Sequence, residues 1–110
     1  SVCKDAPITI QGESHWLLRQ LGDVFVLLVD GREANQAAVN TLRKEPDLKV
    51  LVVDQDIMDV QGKLRERYEL QPNTAYLIRP DQHVAARWRQ WTVDDVQQAM
   101  QRALGKELLV

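Results

Sequence analysis

The chain has very little cysteine, no long apolar run and no excess of positive charge. Its one cysteine, Cys3, cannot form an intrachain disulfide, a CxxC redox pair or a cysteine-based zinc site, and this usage is typical of a reducing cytoplasm. No segment approaches the roughly 18 apolar residues of a membrane helix, and no signal-peptide pattern is visible. We therefore expect a cytoplasmic protein that does not enter a membrane.

The charge balance also bears on possible partners. A net charge of -2 and a pI near 5.6 argue against nucleic-acid binding, because no basic patch is available to meet phosphates. With 110 residues, 45% of them hydrophobic, we expect residues 1–110 to form a single domain. Since the sequence begins Ser-Val-Cys without a methionine, we also expect it to be a piece of a longer protein.

The first half of the sequence predicts a strand, a helix and a second strand. Val24 to Val29 and Val50 to Val53 are unbroken apolar runs rich in β-branched residues, typical of strands that are covered on both faces. Between them, Glu33 to Glu45 carries apolar residues at helical spacing, and Pro46 cannot continue the helix. Such a unit should have parallel strands and a right-handed crossover.

The second half predicts a helix, a hairpin and a closing helix. Val60 to Tyr68 has Val60, Leu64 and Tyr68 on one face, with Asp59 placed to accept from the first amides. The apolar segment Ala75 to Ile78 is followed too closely by Val84 to Trp88 for a crossover, so these two should pair antiparallel.

The closing helix has the best terminal signals. Thr92 and Asp95 form a variant of the capping box, and Gly105 can end the helix. Nearer the N-terminus, Pro7 to Ile10 is typical of an edge strand, and His15 to Leu21 of a short helix. This order of elements predicts an α/β, thioredoxin-like fold: a mixed sheet with central parallel strands, a C-terminal antiparallel hairpin, flanking helices and no CxxC.

The segment after the first core strand is where a redox thioredoxin carries its reactive thiols. Here it contains no cysteine, which excludes disulfide exchange, and Pro72 lies earlier than the proline expected before the third strand. Asp30-Gly31 can be the start of an anion-binding loop or a helix-entry turn. Because Asp30 would repel an anion, we favour the turn.

Three further groups of residues could carry chemistry. Asp54, Asp56 and Asp59 could hold a metal, but their spacing does not match a calcium loop, and capping explains them more simply. His15 and His83 have no nucleophile or partner at catalytic spacing, and the five glycines do not form a nucleotide-binding motif. We therefore assign no catalytic, cofactor-binding or metal-binding residue.

The tryptophans and the C-terminal tail remain open to two interpretations each. Trp16, Trp88 and Trp91 could form a binding surface, although partly buried packing is the more common role of such residues. The apolar tail Leu108-Leu109-Val110 could cover a neighbouring surface.

The connection between the two hairpin strands reads Arg79-Pro80-Asp81-Gln82-His83. Pro80 and Asp81 suit the second and third positions of a type I turn. If the loop has an even length, Arg79 faces Val84, Leu77 faces Ala86, and Tyr76 faces Arg87 in a cation-π contact. His83 is then a solvated turn residue.

The segment Tyr76 to Trp88, YLIRPDQHVAARW, with the preceding Asp59 to Gly62 and Arg67-Tyr68, resembles the C-terminal domain of FAD-dependent aromatic-ring hydroxylases. These include the phenol hydroxylase and 3-(3-hydroxyphenyl)propionate hydroxylase groups. Gly22 to Leu28 similarly resembles the G-x-x-F-x-LL pattern at the start of that domain.

This resemblance implies a non-catalytic, thioredoxin-like structural domain behind flavin-binding and substrate domains, with contacts to those domains and between subunits of a homodimer. It implies FAD and NAD(P)H for the parent monooxygenase and no cofactor in this segment. A stand-alone, redox-inactive protein-binding module is the alternative.

Overall fold

The computed structural model describes the backbone of residues 1–108 and the side chains of residues 1–105. The elements are β1 (Pro7–Ile10), β2 (Glu13–Trp16), a 3-10 helix (Leu17–Gln20), β3 (Phe25–Asp30), α1 (Gln36–Leu42), β4 (Leu48–Val53), α2 (Lys63–Tyr68), β5 (Ala75–Ile78), β6 (Val84–Trp88) and α3 (Val93–Leu108). The thioredoxin-like α/β fold expected from the order of elements is confirmed.

The main sheet has four strands in the order β4-β3-β5-β6. Strand β3 pairs parallel with β4 and antiparallel with β5, and β5 pairs antiparallel with β6. The mixed sheet, its parallel pair and the C-terminal hairpin at the sheet edge are therefore as predicted, while β4 of the parallel pair forms the opposite edge of the sheet. Strands β1 and β2 form a separate antiparallel hairpin.

Both faces of the main sheet are covered, which explains why all six residues of β3 are buried. Alternate side chains of a strand point to opposite faces. Val26 and Leu28 belong to a core shared with β1, the 3-10 helix and α2, while Leu27 and Val29 belong to a core shared with α1 and α3. An apolar run without polar alternation is what such two-sided burial requires.

Side-chain oxygens cap the starts of the helices. Asn35 Oδ1 accepts from Ala38 N, 3.1 Å away. At the start of α3, Asp95 N donates to Thr92 Oγ1 and Thr92 N donates to Asp95 Oδ2, at 3.1 and 2.9 Å. The predicted capping box is therefore confirmed.

The strands Ala75–Ile78 and Val84–Trp88 have the predicted bounds, but the helix boundaries differ from the predicted ones. Helix α2 begins at Lys63, because Gly62 is left-handed with φ 71° and interrupts the helical geometry before it. Val60 consequently lies outside the helix and is 74% exposed, so its predicted place on the buried face is wrong. Helix α3 passes through Gly105 to Leu108, so the predicted end at Gly105 is also wrong.

The predicted strand Pro7–Ile10 is confirmed, but His15 to Leu21 is not one helix. His15 and Trp16 end β2, which pairs with β1, and only Leu17–Gln20 is a 3-10 helix. The β1-β2 connection uses Gln11 and Gly12, both at positive φ, as a tight hairpin requires. Because this connection contains only one glycine, the sequence gives only a weak signal for the turn.

The hairpin register is right at its open end and wrong at its turn. Tyr76 pairs with Arg87 as predicted, and the Arg87 guanidinium carbon lies 5.3 Å from the Tyr76 ring centroid. The loop, however, has an odd length: Arg79 N donates to His83 O, and Gln82 is left-handed with φ 65°. A register shift between Leu77 and Ile78 compensates for the extra residue.

No helix among the described residues is long and apolar enough to cross a membrane. The apolar tail Leu108-Leu109-Val110 was predicted to cover a neighbouring surface. The structure describes the backbone only to Leu108, so the rest of this tail lies outside the described residues. Its role stays a prediction.

Candidate functional site

The most concentrated group of charges lies where β3 and β4 end. Strand β3 ends at Asp30, whose side chain is fully buried and accepts from Arg32 N at 2.9 Å. The Arg32 side chain returns to the same carboxylate, with Nη2 2.7 Å from Oδ2 and Nε 3.1 Å from Oδ1. In a redox thioredoxin this position leads into the reactive thiols.

A second arginine reaches the carboxylate from α2. Arg65 Nε lies 3.1 Å from Asp30 Oδ2, and Arg65 Nη1 lies 2.7 Å from Asp54 Oδ2. Asp54 follows the neighbouring strand β4, so both strand ends contribute a carboxylate. We call Asp30, Arg32, Arg65 and Asp54 the strand-end ion cluster.

The backbone conformation around this cluster is tightly constrained. A Cβ added to Gly31 would lie 2.6 Å from Val53 O, so the close approach of two strand ends requires glycine here. Asp30 N donates to Thr74 O at 2.9 Å, and Asn73 N donates to Arg32 O at 2.8 Å. The cluster is thereby held from β3, β4 and the segment before β5.

Burial alone would raise the pKa of Asp30. The hydrogen bonds from Arg32, and then those from Arg65, outweigh burial and hold the pKa of Asp30 below its ordinary value. Correspondingly, the hydrogen bond to Asp30 raises the pKa of Arg32. Asp30 is therefore ionised at neutral pH, and its charge is neutralised within the protein.

In the strand-end ion cluster, the carboxylate of Asp30 is already occupied by protein hydrogen-bond donors. Both carboxylate oxygens of Asp30 already accept from arginine, and Arg32 Nη2 also donates to Leu70 O at 3.1 Å. The turn interpretation of Asp30-Gly31 is confirmed, since Ala34 N donates to Gly31 O at 3.4 Å. A buried carboxylate saturated by two arginines can fix loops, but it offers neither a nucleophile nor a proton acceptor.

The three aspartates considered as metal ligands point to different partners. Asp59 Oδ1 and Oδ2 accept from the amides of Leu64 and Arg65, each at 3.0 Å, which confirms the capping role. Asp56 Oδ2 accepts from Val52 N and pairs with Arg43, both at 2.8 Å. Among the side chains of residues 1–105, no three acidic, histidine or cysteine residues converge as metal ligands would.

The two histidines lie on different elements. His15 is on β2, and His83 follows the hairpin turn, where its Nδ1 lies 3.1 Å from Asp81 O. The His83 side chain is 44% exposed, as expected for a solvated turn residue.

The tryptophans divide into two packing residues and one exposed residue. Trp91 is buried, and its Nε1 donates to Asn73 O and Oδ1, both at 3.1 Å. Trp88 packs against the same core as α3. Trp16 is 52% exposed, so it is only half buried and packs least of the three. It is the last residue of the short β2 strand.

Cys3 and Tyr68 lie at a second, more open feature. A cavity of about 310 Å³ extends from the N-terminal residues to Tyr76, Val84 and Arg87. Burial raises the pKa of the Cys3 thiol, and a hydrogen bond with Tyr68 lowers it only partly. Tyr68 donates to Lys4 O at 2.5 Å. Cys3 is also only 6% exposed, and a buried thiol with a raised pKa is typical of a structural cysteine, because the thiolate is the reactive form.

Sequence reasoning did not identify Arg65 as a partner of Asp30, because the two residues are 35 positions apart. Arg65 follows Asp59 by six positions, and the cap of α2 aims it at the strand ends. The usable signal was Asp30 itself, since an acidic residue at the end of a fully buried strand needs a cationic partner.

Comparison with known proteins adds a family and a set of similar structures. Residues 2–106 match the family model described as aromatic-ring hydroxylase, C-terminal. No curated protein matches the chain significantly.

Two similar solved structures are those of flavoenzymes. The flavin-dependent monooxygenase PieE, in complex with FAD and substrate, is 26% identical with a TM-score of 0.75, over 92% of this chain and 19% of that chain. Aklavinone-11 hydroxylase, in a ternary complex with FAD and aklavinone, is 24% identical with a TM-score of 0.69, over 86% of this chain and 18% of that chain. The present chain thus spans less than a fifth of either protein.

Proposed function

The chain belongs to the aromatic-ring hydroxylase C-terminal family, and we propose that it is the non-catalytic C-terminal domain of a longer FAD-dependent aromatic hydroxylase. In this role it stabilises the folded enzyme and its contacts between subunits. The observation that carries the proposal is the strand-end ion cluster, which occupies the position of the redox thiols with saturated charges.

The residues of this chain do not fit a flavin. Ligands of α/β sheets bind at the carboxyl ends of strands, and here that edge is closed by Asp30 and its two arginines. FAD also carries phosphates, and the arginines of the cluster are already paired with Asp30 and Asp54, so no net positive charge is left to bind them. We therefore place FAD, NAD(P)H and the aromatic substrate on the preceding parts of the parent protein.

Two kinds of partner follow from this proposal: the flavin-binding and substrate domains of the same polypeptide, and a second subunit in a homodimer. The length of the similar enzymes, which this chain covers by only 18% and 19%, supports the first. The stand-alone binding module is not favoured, because the family match extends over residues 2–106.

The test begins with the coding region that precedes Ser1. We expect an in-frame sequence with a GxGxxG motif between a strand and a helix. The full-length product should purify with FAD and hydroxylate a phenolic substrate with consumption of NAD(P)H. A reading frame that begins at this segment, or a full-length product without flavin, would contradict the proposal.

A further inference from the structure

Two of the most exposed large apolar side chains lie in one groove. Trp16 is 52% exposed and Val60 is 74% exposed, and both line a groove of about 370 Å³ between the β1-β2 hairpin and the start of α2. Single exposed apolar residues are ordinary, but a tryptophan and a valine that share a concave surface indicate an interaction site. We call this feature the Trp16 groove.

The two walls of the Trp16 groove are fixed to each other. Thr9 on β1 and Met58, just before α2, exchange both backbone hydrogen bonds, at 2.9 and 2.8 Å. Asp59 caps α2 directly behind Val60. The groove is therefore preformed, so a partner would lose little free energy in ordering it.

The charged residues along the groove are basic. Lys63 and Arg67 line it together with His15, and no acidic residue does. One neighbouring anion is Glu66, whose carboxylate lies 3.6 Å from Lys63 Nζ and is largely exposed. A complementary surface would therefore present an apolar group to Trp16 and Val60, and carboxylates to the basic rim.

The N-terminal segment of the chain runs beside this groove. Arg67 lines both the Trp16 groove and the neighbouring cavity that contains Ser1. Arg67 Nη1 also donates to Asp5 O at 2.9 Å, which fixes the N-terminal segment beside the groove. Ser1 itself lies at the start of β6, where its carbonyl oxygen accepts from Val84 N at 2.9 Å. A preceding domain of the same polypeptide is tethered to this one, so it meets the groove at high effective concentration.

We propose that the Trp16 groove docks an acidic, apolar-tipped surface of the flavin-binding and substrate part of the same parent polypeptide. This inference rests on the proposed function. It explains why Trp16 and Val60, two large apolar side chains, are exposed in this domain by itself. It also distinguishes this face from the opposite one, where α3 presents Leu104 with 43% exposure.

The test is hydroxyl-radical footprinting of the full-length, FAD-loaded enzyme, in which the oxidation rate of Trp16 is compared with that of Trp91 as an internal reference. In an open groove, Trp16 would be oxidised several-fold faster than Trp91, because their exposed fractions are 52% and 7%. We expect Trp16 to be oxidised about as slowly as Trp91. Val60→Asp should restore fast oxidation of Trp16, because it places a carboxylate against the docked acidic surface. Leu104→Asp, a matched exposed control on α3, should leave it slow.

Fast oxidation of Trp16 in the unaltered, FAD-loaded enzyme would overturn the docking proposal. Slow oxidation that becomes fast on dilution to the monomer, followed by sedimentation, would show that a second subunit covers the groove, which also overturns it. Bound FAD, measured by absorbance in the same samples, reports on the proposed function separately. A flavin-loaded enzyme with an open groove therefore rejects only the docking surface.

Discussion

Asp30 and Arg65, 35 positions apart in sequence, are joined by an Nε to Oδ2 contact of 3.1 Å that ties the end of β3 to α2. Asp30 is fully buried, whereas the Arg65 side chain is 22% exposed. Removal of one partner from a buried pair is costly, because the remaining charge loses its compensation. This contact therefore links two layers of the domain.

The first prediction concerns Asp30→Asn. We expect it to lower the free energy of unfolding by about 2 kcal/mol, because Arg32 and Arg65 lose their charge-assisted hydrogen bonds to the buried carboxylate. Urea unfolding followed by circular dichroism measures the change. Asp23→Asn, at an exposed loop position, is the matched control and should change stability by less than about 0.5 kcal/mol. Equal effects of the two substitutions would contradict the structural role of Asp30.

The second prediction concerns pH. Because the pKa of Asp30 is lower in the folded state than in the unfolded state, its contribution to stability is complete above the unfolded value of about 3.9. It is lost as pH falls from there through the folded pKa. The stability difference between wild type and Asp30→Asn should therefore shrink from neutral pH to about pH 2. A difference that stays constant in urea titrations across this range would show that the charge of Asp30 is not its source.

The third prediction concerns the cap of α2. Asp59→Ala should cost about 1 to 2 kcal/mol, because the Leu64 and Arg65 amides lose their acceptor. Asp59→Asn should cost less than Asp59→Ala, because asparagine keeps one acceptor oxygen, but the second amide still loses its acceptor. Thermal unfolding of both variants measures the difference. If both substitutions cost the same, the carboxylate is needed for a reason other than capping.

The fourth prediction concerns the odd-length hairpin loop. Gln82 adopts φ 65°, a conformation that costs a non-glycine residue about 1 kcal/mol. Gln82→Gly should therefore raise the free energy of unfolding by up to about 1 kcal/mol, as judged from the urea midpoint. Gln90→Gly, at a position without positive φ, should lower it slightly. A loss of stability in both variants would argue against the left-handed geometry at Gln82.

The sequence predicted the elements of the main sheet well because their signal is local. Strands β3 and β5 are fully buried apolar segments, and the capping box of Thr92 and Asp95 lies within four residues. The features that the sequence did not predict depend on distant residues or on backbone conformation. The left-handed geometry of Gly62 delayed α2, and the odd loop shifted the hairpin register around Leu77.

The candidate site was less predictable than the fold. Asp30 was recognised as a turn residue, but its saturation by Arg32 and Arg65 depends on how α2 packs, which no local pattern encodes. Trp16 was expected to be partly buried and Val60 to share a helical face with Leu64 and Tyr68, whereas Trp16 is 52% exposed and Val60 is 74% exposed. The exposure of such apolar side chains is explained if they are buried in an interface with another domain.

The central claim, that this domain stabilises a flavin hydroxylase without taking part in its chemistry, is tested most directly by single-turnover hydroxylation in the full-length enzyme carrying Asp30→Asn. The rate constant per bound FAD is measured below the unfolding midpoint of the variant. We expect it to stay within about twofold of wild type, while the unfolding midpoint of the enzyme falls. A decrease of more than about tenfold at full flavin occupancy, with the midpoint unchanged, would contradict the claim, because it would show that the strand-end ion cluster serves the reaction itself.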